Sequence, residues 1–470
     1  MSTSHDRPAR STGIRHLDAL REAVSGPVLV SGDPGYVAEC AGHNILRAVR
    51  PTVVVGAAHT ADVVAAVRYA RIHGMPVAVR NAGHQAVLPD AGDWLLITTG
   101  RMHDIRVEPG ARTVTVGAGA RWRQVVEATV KHGLAPLSGS APNVGVVGYT
   151  LGGGIGPLLS RRHGYAADQV RRMDVVTADG RLLRVTPRSD PELFWALLGC
   201  KGNFGIVVAM EFAVFPVTRF YGGGLWFRGE DTAQVLSVWR AWLETADEDT
   251  TSSVAVQRLP DTPGLPDVLR GAFVLHVRVG HLGPGARGER HVAPLRAAAV
   301  PLLDTVAERP FEQAGVIHQD PVRPAHVSET SVGLRELSAA ATARFTELTG
   351  ADSGCPLTMV EIRALGGALD REPQVPNAVP SRGLPFVTFA VGVAPAAEAA
   401  PVTDYLATYA DGMSPWADHR NILNFLSPSA ASTEAQMRRL FGDERYARLA
   451  AVKRRMDPDN VFRVNHNVRP

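Results

Sequence analysis

From about residue 51 to residue 217, short β-branched runs alternate with stretches of helical period. Residues 51–55 predict a buried strand. Residues 61–73 predict a helix with Val63, Val64, Val67 and Ala70 along one side, and residues 76–79 the next strand. Residues 113–116 predict a strand ending at Gly117-Ala118-Gly119, with a helix over 122–132 behind it. Such alternation points to α/β or α+β sheets covered by helices. From about Thr218 to Met413 the texture changes. Residues 220–226 and 272–279 predict strands of period-two alternation, and 232–243 and 334–348 predict helices. Pro- and Gly-rich breaks at 260–266, 283–288 and 373–385 punctuate them. Residues 359–363 predict a strand with Met359, Glu361 and Arg363 on one face. This stretch is expected to be a second α+β domain. One helix over 433–456, then Asp457-Pro458-Asp459-Asn460, closes the chain.

Composition removes whole classes. With 470 residues, 45% hydrophobic and 20% charged, the chain can bury a large core and is not intrinsically disordered. At roughly 150 residues per domain, two to three domains are expected. A net charge of +3, with arginines scattered rather than striped, argues against a nucleic-acid partner. Cys40, Cys200 and Cys355 are far apart and odd in number, so neither a disulfide framework nor a structural metal site is expected. The apolar region 53–67 is broken by His59 and Asp62, and the first residues lack an apolar leader. The expectation is a soluble, cytoplasmic protein without a membrane partner. The sequence leaves the oligomeric state open.

The densest chemical signal is Gly145-Val146-Val147-Gly148-Tyr149-Thr150-Leu151-Gly152-Gly153-Gly154-Ile155-Gly156, with six glycines in twelve residues. Backbone of that kind brings successive N–H groups close to a bulky anion such as a pyrophosphate. Neither this stretch nor Gly117–Gly119 has the third glycine of the dinucleotide fingerprint, because Pro157 and Trp122 stand there. A nucleotide would therefore be held by several loops. A second cluster, Arg80-Asn81-Ala82-Gly83-His84-Gln85, follows a strand; on its own His84 reads as either a structural or a ligand-facing histidine. A third, Gly199-Cys200-Lys201-Gly202-Asn203-Phe204-Gly205-Ile206-Val207, holds Lys201, which reads as a phosphate contact or, more simply, a surface lysine.

Together these clusters resemble the covalent FAD oxidases, the group that joins vanillyl-alcohol-oxidase (PCMH-type), berberine-bridge-enzyme-like and 6-hydroxynicotine-oxidase-like proteins. Residues 80–85 resemble the family's Arg-x-Gly-Gly-His-Ser loop, with Ala82 and Gln85 as departures. Gly139-Ser140-Ala141-Pro142-Asn143-Val144-Gly145 through Gly156 resembles the second flavin loop. Residues 190–197 followed by Gly202–Val207 resemble the third, and residues 457–465, ending at Asn465, match the C-terminal signature. The resemblance covers nearly the whole chain. It implies a two-domain α+β fold: a FAD-binding domain over 1–218 (core about 47–217), a substrate domain with an antiparallel sheet over 219–414, and a C-terminal segment over 415–470 returning to the FAD domain.

It also implies FAD as cofactor, joined through its 8α-methyl group to His84. Members with a second, cysteinyl link carry Cys where this chain has Ala141, so a single link is expected. Residues implied to bind FAD are Arg80 to Gln85, Gly139, Ser140, Pro142 to Gly145, Gly148, Tyr149, Gly152 to Gly154, Gly156, Gly202, Gly205, Ile206, Val207, Asn424 and Asn465. Many berberine-bridge-like members place a catalytic Tyr two residues before the Asn of Tyr-x-Asn; here Ile422 precedes Asn424. An aliphatic side chain accepts no proton. Catalytic candidates are then Glu361, expected to act as base with a raised pKa in a dry pocket; Arg363, orienting an anionic or carbonyl group; and Tyr149. A Glu–Arg pair bridging two strands is the plain alternative for Glu361, and His276 and His318 are weaker candidates. The expected activity is two-electron oxidation of a small organic or natural-product-pathway substrate, with O2 as second substrate. A flavin-dependent scaffold for non-redox cyclisation and a FAD-binding sequestering or resistance protein are the alternatives.

Overall fold

The computed structural model describes residues 17–85, 87–89 and 91–470. Among the described residues, three sheets organise the fold. A four-stranded sheet runs in the order Val28–Leu29, Arg50–Gly56, Ala91–Thr98, Val77–Arg80, with its three longer strands parallel. Helix Thr60–Ile72 covers it and buries Val63, Ala66, Val67 and Ala70. A five-stranded antiparallel sheet follows in the order Ile105–Glu108, Thr113–Gly117, Ile206–Ala213, Val170–Val176, Leu182–Val185. The third is an eight-stranded antiparallel sheet between residues 219 and 393, whose central strands are Phe273–His281, Thr250–Arg258, Met359–Ala364 and Phe386–Val393. The fold is thus α+β with an antiparallel sheet in the second half.

Register gives the large sheet two different faces, because residues directly opposite one another project to the same side. Leu225, Val254, Val277, Val332, Val360 and Ile362 lie on one side and form a core with helices Thr232–Leu243, Gly285–Arg296, Ala339–Thr349 and Ala399–Met413. The other side carries a polar row. Trp226 pairs with His276, His276 with Ala255, Ala255 with Glu361, Glu361 with Phe389, and Phe389 with Ser331. The adjacent row holds Arg278, Ser253 and Arg363. This side faces the other sheets: residues 365–387 and 422–468 contribute to the core built around the five-stranded sheet.

Three expectations need correction. The helix expected over 334–348 begins only at Ala339, with the Ser338 hydroxyl capping Ala341 N–H; Leu334 ends the strand Val327–Leu334. The helix expected over 433–456 is two helices, Glu434–Phe441 and Asp443–Met456, parted by Gly442 at φ +76°, a conformation that glycine adopts without Cβ strain. The alternation read into 220–226 and 272–279 is not an exposure pattern. Strands Arg219–Arg228 and Phe273–His281 are buried on both faces, since helices cover one side and the rest of the molecule the other. No helix among the described residues is long and apolar enough to cross a membrane.

Candidate functional site

The segments singled out in the sequence meet at the junction of the sheets. The 80–85 loop leaves the C-terminal end of strand Val77–Arg80 and is pinned by residues 43 and 44, whose N–H groups donate to the carbonyls of Ala82 and Gly83. Asn81 Nδ2 donates to the carbonyls of Ala118 and Ala120, and a Cβ on Gly145 would lie 2.7 Å from it, so the first two loops touch. The His84 ring stacks on His43 at 3.9 Å between centroids. Burial pulls its pKa down to about 4, which a hydrogen bond to the Asn143 backbone only partly offsets. The imidazole is therefore neutral at physiological pH, and its Nε2 is buried without a partner.

Gln85 ties the loop to the end of the chain. Its amide donates to the carbonyls of Leu423 and Leu426 and lies 3.3 Å from His466 Nε2, while its Oε1 accepts from Lys201 Nζ. Asn424 Nδ2 donates to the Tyr149 carbonyl, Asn465 Nδ2 to Gly202, and Asn203 Nδ2 to His466. Gly154, at φ +74°, leaves room for the Tyr149 ring, where a Cβ would sit 2.4 Å from it. Asn81 Oδ1, Tyr149 OH, Thr150 Oγ1 and Asn465 Oδ1 are buried with no protein partner. Buried polar groups are nearly always satisfied, so a converging set of bare ones marks the place of a polar ligand.

The polar side of the large sheet closes the site. Arg278 donates to Glu361 Oε1 at 2.9 Å, and Arg363 Nη2 donates to Glu361 Oε2 at 2.9 Å. Arg363 also lies over the Phe425 ring, which stacks on Phe389. His318 approaches Glu361 at 3.4 Å. A cavity in front of these groups is bordered by Ile155 and Gly156 of the glycine loop and by Ile317 and Leu369.

A match to the FAD binding domain family spans residues 51–186, and one to the berberine and berberine-like family spans 424–469. The chain is 28% identical to (R)-6-hydroxynicotine oxidase of Paenarthrobacter nicotinovorans, over 95% of this chain and 97% of that one. The chain is a FAD-dependent oxidoreductase. It is also 28% identical to an uncharacterised FAD-linked oxidoreductase of Bacillus subtilis, over 63% of this chain and 65% of that one. The crystal structure of 6-hydroxy-D-nicotine oxidase from Arthrobacter nicotinovorans shares its fold with a TM-score of 0.82 at 24% identity, over 95% and 98% of the two chains. Xylooligosaccharide oxidase from Myceliophthora thermophila does so with 0.83 at 20%, over 97% and 99%.

FAD fits the donors and acceptors this oxidoreductase leaves bare: amide, hydroxyl and imidazole groups on the first two loops and the C-terminal segment. Several other side chains turn to the protein itself. The Arg80 guanidinium turns back to the Glu39 carbonyl and braces the loop. Gly205, Ile206 and Val207 enter a core strand, where Gly205 packs against Val175 and Val176. Asn143 reaches the Val322 carbonyl. Ile422 is buried in the core. Lys201 is no surface lysine: it is half-buried, held by Gln85, and desolvation lowers its pKa to about 8.

The pKa expected for Glu361 has the opposite sign. Burial alone would raise it, but Arg363, Arg278 and His318 outweigh burial and hold the carboxyl well below the usual carboxylate range. Tyr149 moves the other way. Burial carries its phenol above the ordinary value, so it stays protonated and can donate but not accept a proton. The sequence reading passed over His43, Arg278, Glu329 and His466. Arg278 had a signal, standing in the polar positions of Leu275-His276-Val277-Arg278-Val279; the others are isolated in sequence and meet the site only through the fold.

Proposed function

We propose that this FAD-dependent oxidoreductase carries its flavin on His84, removes two electrons from a small organic substrate, and passes them to O2. The observation that carries the reading is the His84 imidazole. It is neutral, fixed by His43 and the Asn143 backbone, and its buried Nε2 lone pair has no protein partner. Bound FAD supplies the two-electron acceptor, and the protein supplies orientation and electrostatics. Asn81, Thr150 and Asn465 have the free polar atoms to hold it, and Gly145, Gly152 and Gly154 let Asn81, Asn424 and Tyr149 pack closely against the loop around it.

The proton-handling groups of this reading are Glu329 and Lys201. Desolvation raises the Glu329 carboxyl to about 8, against the attraction of Lys201, so both groups change charge near neutral pH. Glu329 shares the polar side of the sheet with Ser331 and Phe389, and Lys201 reaches Gln85 next to His84. Tyr149 donates a hydrogen bond, and Arg363 orients the substrate.

Use of O2 is tested without knowing the substrate. The holoprotein is reduced with dithionite under nitrogen and mixed with aerated buffer while the flavin absorbance is followed. An oxidase recovers its yellow colour within seconds and releases hydrogen peroxide. A reduced form that persists in air, but is reoxidised by an artificial acceptor, would make the protein a dehydrogenase.

A further inference from the structure

His43 and His84 lie face to face, with ring centroids 3.9 Å apart and planes within 15° of parallel. Backbone on both sides fixes His43. Its N–H donates to the Ala82 carbonyl, and its own carbonyl accepts from Ala325 N–H. Asn44, the next residue, donates its N–H to the Gly83 carbonyl and its Nδ2 to the Val327 carbonyl, at the start of strand Val327–Leu334. Gly83, at φ +66°, presses against Gly42, and a Cβ on it would stand 2.8 Å from the Gly42 Cα. Residues 42–44 are thus clamped between the 80–85 loop and the edge of the large sheet.

Both rings are neutral. Burial and the charge of Arg121 hold His43 below its ordinary pKa, and His84 keeps its Nε2 bare while the Asn143 backbone holds the ring from another side. Joining His84 to a flavin changes its charge. A nitrogen of the ring bonds to the 8α carbon as a proton leaves that carbon, and the two electrons of the broken C–H bond reduce the flavin. O2 then takes those electrons with two protons, one from the carbon and one from the imidazole, and leaves as hydrogen peroxide. Until the imidazole gives up its proton it carries a positive charge. Asp320 favours that charge and Arg121 opposes it, but the group in face contact with the ring is His43. A cation is attracted to the face of a neutral aromatic ring, more strongly out of water.

We propose that His43 is a positioning residue for the attachment of flavin to His84: its ring face holds the His84 imidazole in one orientation and stabilises the positive charge that appears there as the bond forms. The inference rests on the flavin reading above. The work is done by the flat face of the ring, which the clamped backbone of residues 42–44 sets in place before any flavin arrives. His43 therefore governs how fast bound FAD becomes attached, and how tightly FAD binds depends on the other loops.

The test separates binding from attachment. The full chain and its His43→Phe and His43→Leu variants are each given excess FAD in air and sampled over time by acid precipitation. Flavin that stays with the denatured chain is attached, and flavin that elutes with the folded protein but is released by acid is merely bound. His43→Phe keeps a flat ring and should attach flavin at close to the parent's rate. His43→Leu should bind FAD yet attach it about tenfold more slowly, and raising the FAD concentration should not restore the rate. His43→Asn carries the same expectation and replaces the leucine variant should that one fail to fold. Attachment at the parent's rate in His43→Leu or His43→Asn would overturn the proposal. So would a phenylalanine variant as slow as the leucine one, which would give the effect to a ring nitrogen instead of the ring face. Acid release of all flavin from the parent itself is the distinct result that sinks the His84 reading, and this inference with it.

Discussion

Gly152 shows how little room the site leaves for a side chain. A Cβ there would stand 2.1 Å from Asn424 Oδ1 and 2.7 Å from Lys201 Cε, and Asn424 is held by the Tyr149 carbonyl. Gly152→Ala should therefore yield folded protein with much less bound flavin, measured as the absorbance ratio of flavin to protein. Glu329 gives a test of the electrostatics. Its folded pKa of about 8 lies above the ordinary 4.5, so between those values the folded state holds a proton that the unfolded state has released. Stability must then fall as pH rises through this window. Lys201 works in the opposite sense above pH 8, where the unfolded chain holds its proton up to about 10.5. Glu329→Gln should match the parent's urea midpoint at low pH and exceed it at pH 8; equal midpoints at both would remove Glu329 from the account. Such residues were poorly legible in the sequence. Glu329 and Lys201 are 128 positions apart, and Glu361 was legible as a pocket carboxylate but not in its ionisation. Its neighbour two positions on was visible, whereas Arg278 reaches it only through strand pairing.

At the scale of elements, apolar periodicity located the long elements and misjudged their joints. Helix Thr232–Leu243 follows directly from its apolar spacing. The break at Gly442 did not, because the turn depends on one residue's backbone freedom. The C-terminal element carries its own lock. Lys453 and Asp457 form a fully buried pair at 2.7 Å, Lys453 also donates to the carbonyls of Asn203 and Phe462, and Asp457 accepts from the N–H groups of Val461 and Phe462. This joins the last helix to the third loop and the tail. Lys453→Met leaves a buried carboxylate uncompensated and should cost about 3–5 kcal/mol, seen as a lower denaturant midpoint. Because Asn465 and His466 follow directly, flavin retention should fall with it. A loss of stability with flavin retention unchanged would separate the tail from the site.

Over the whole molecule, the site exists because one sheet has two unlike sides and a second set of loops covers the polar one. The loops were legible, since glycine density and the order of the motifs do not depend on long-range packing. The polar side was only partly legible, because its rows run across strands that are far apart in sequence, from Trp226 through His276 and Glu361 to Ser331. Central to the account is the claim that these loops hold FAD on His84. It is tested by precipitating the purified protein with acid and asking where the yellow colour goes. The prediction is that colour and flavin fluorescence stay with the denatured wild-type chain and are lost from it in His84→Ala. Colour released into the supernatant from the wild type would contradict the attachment.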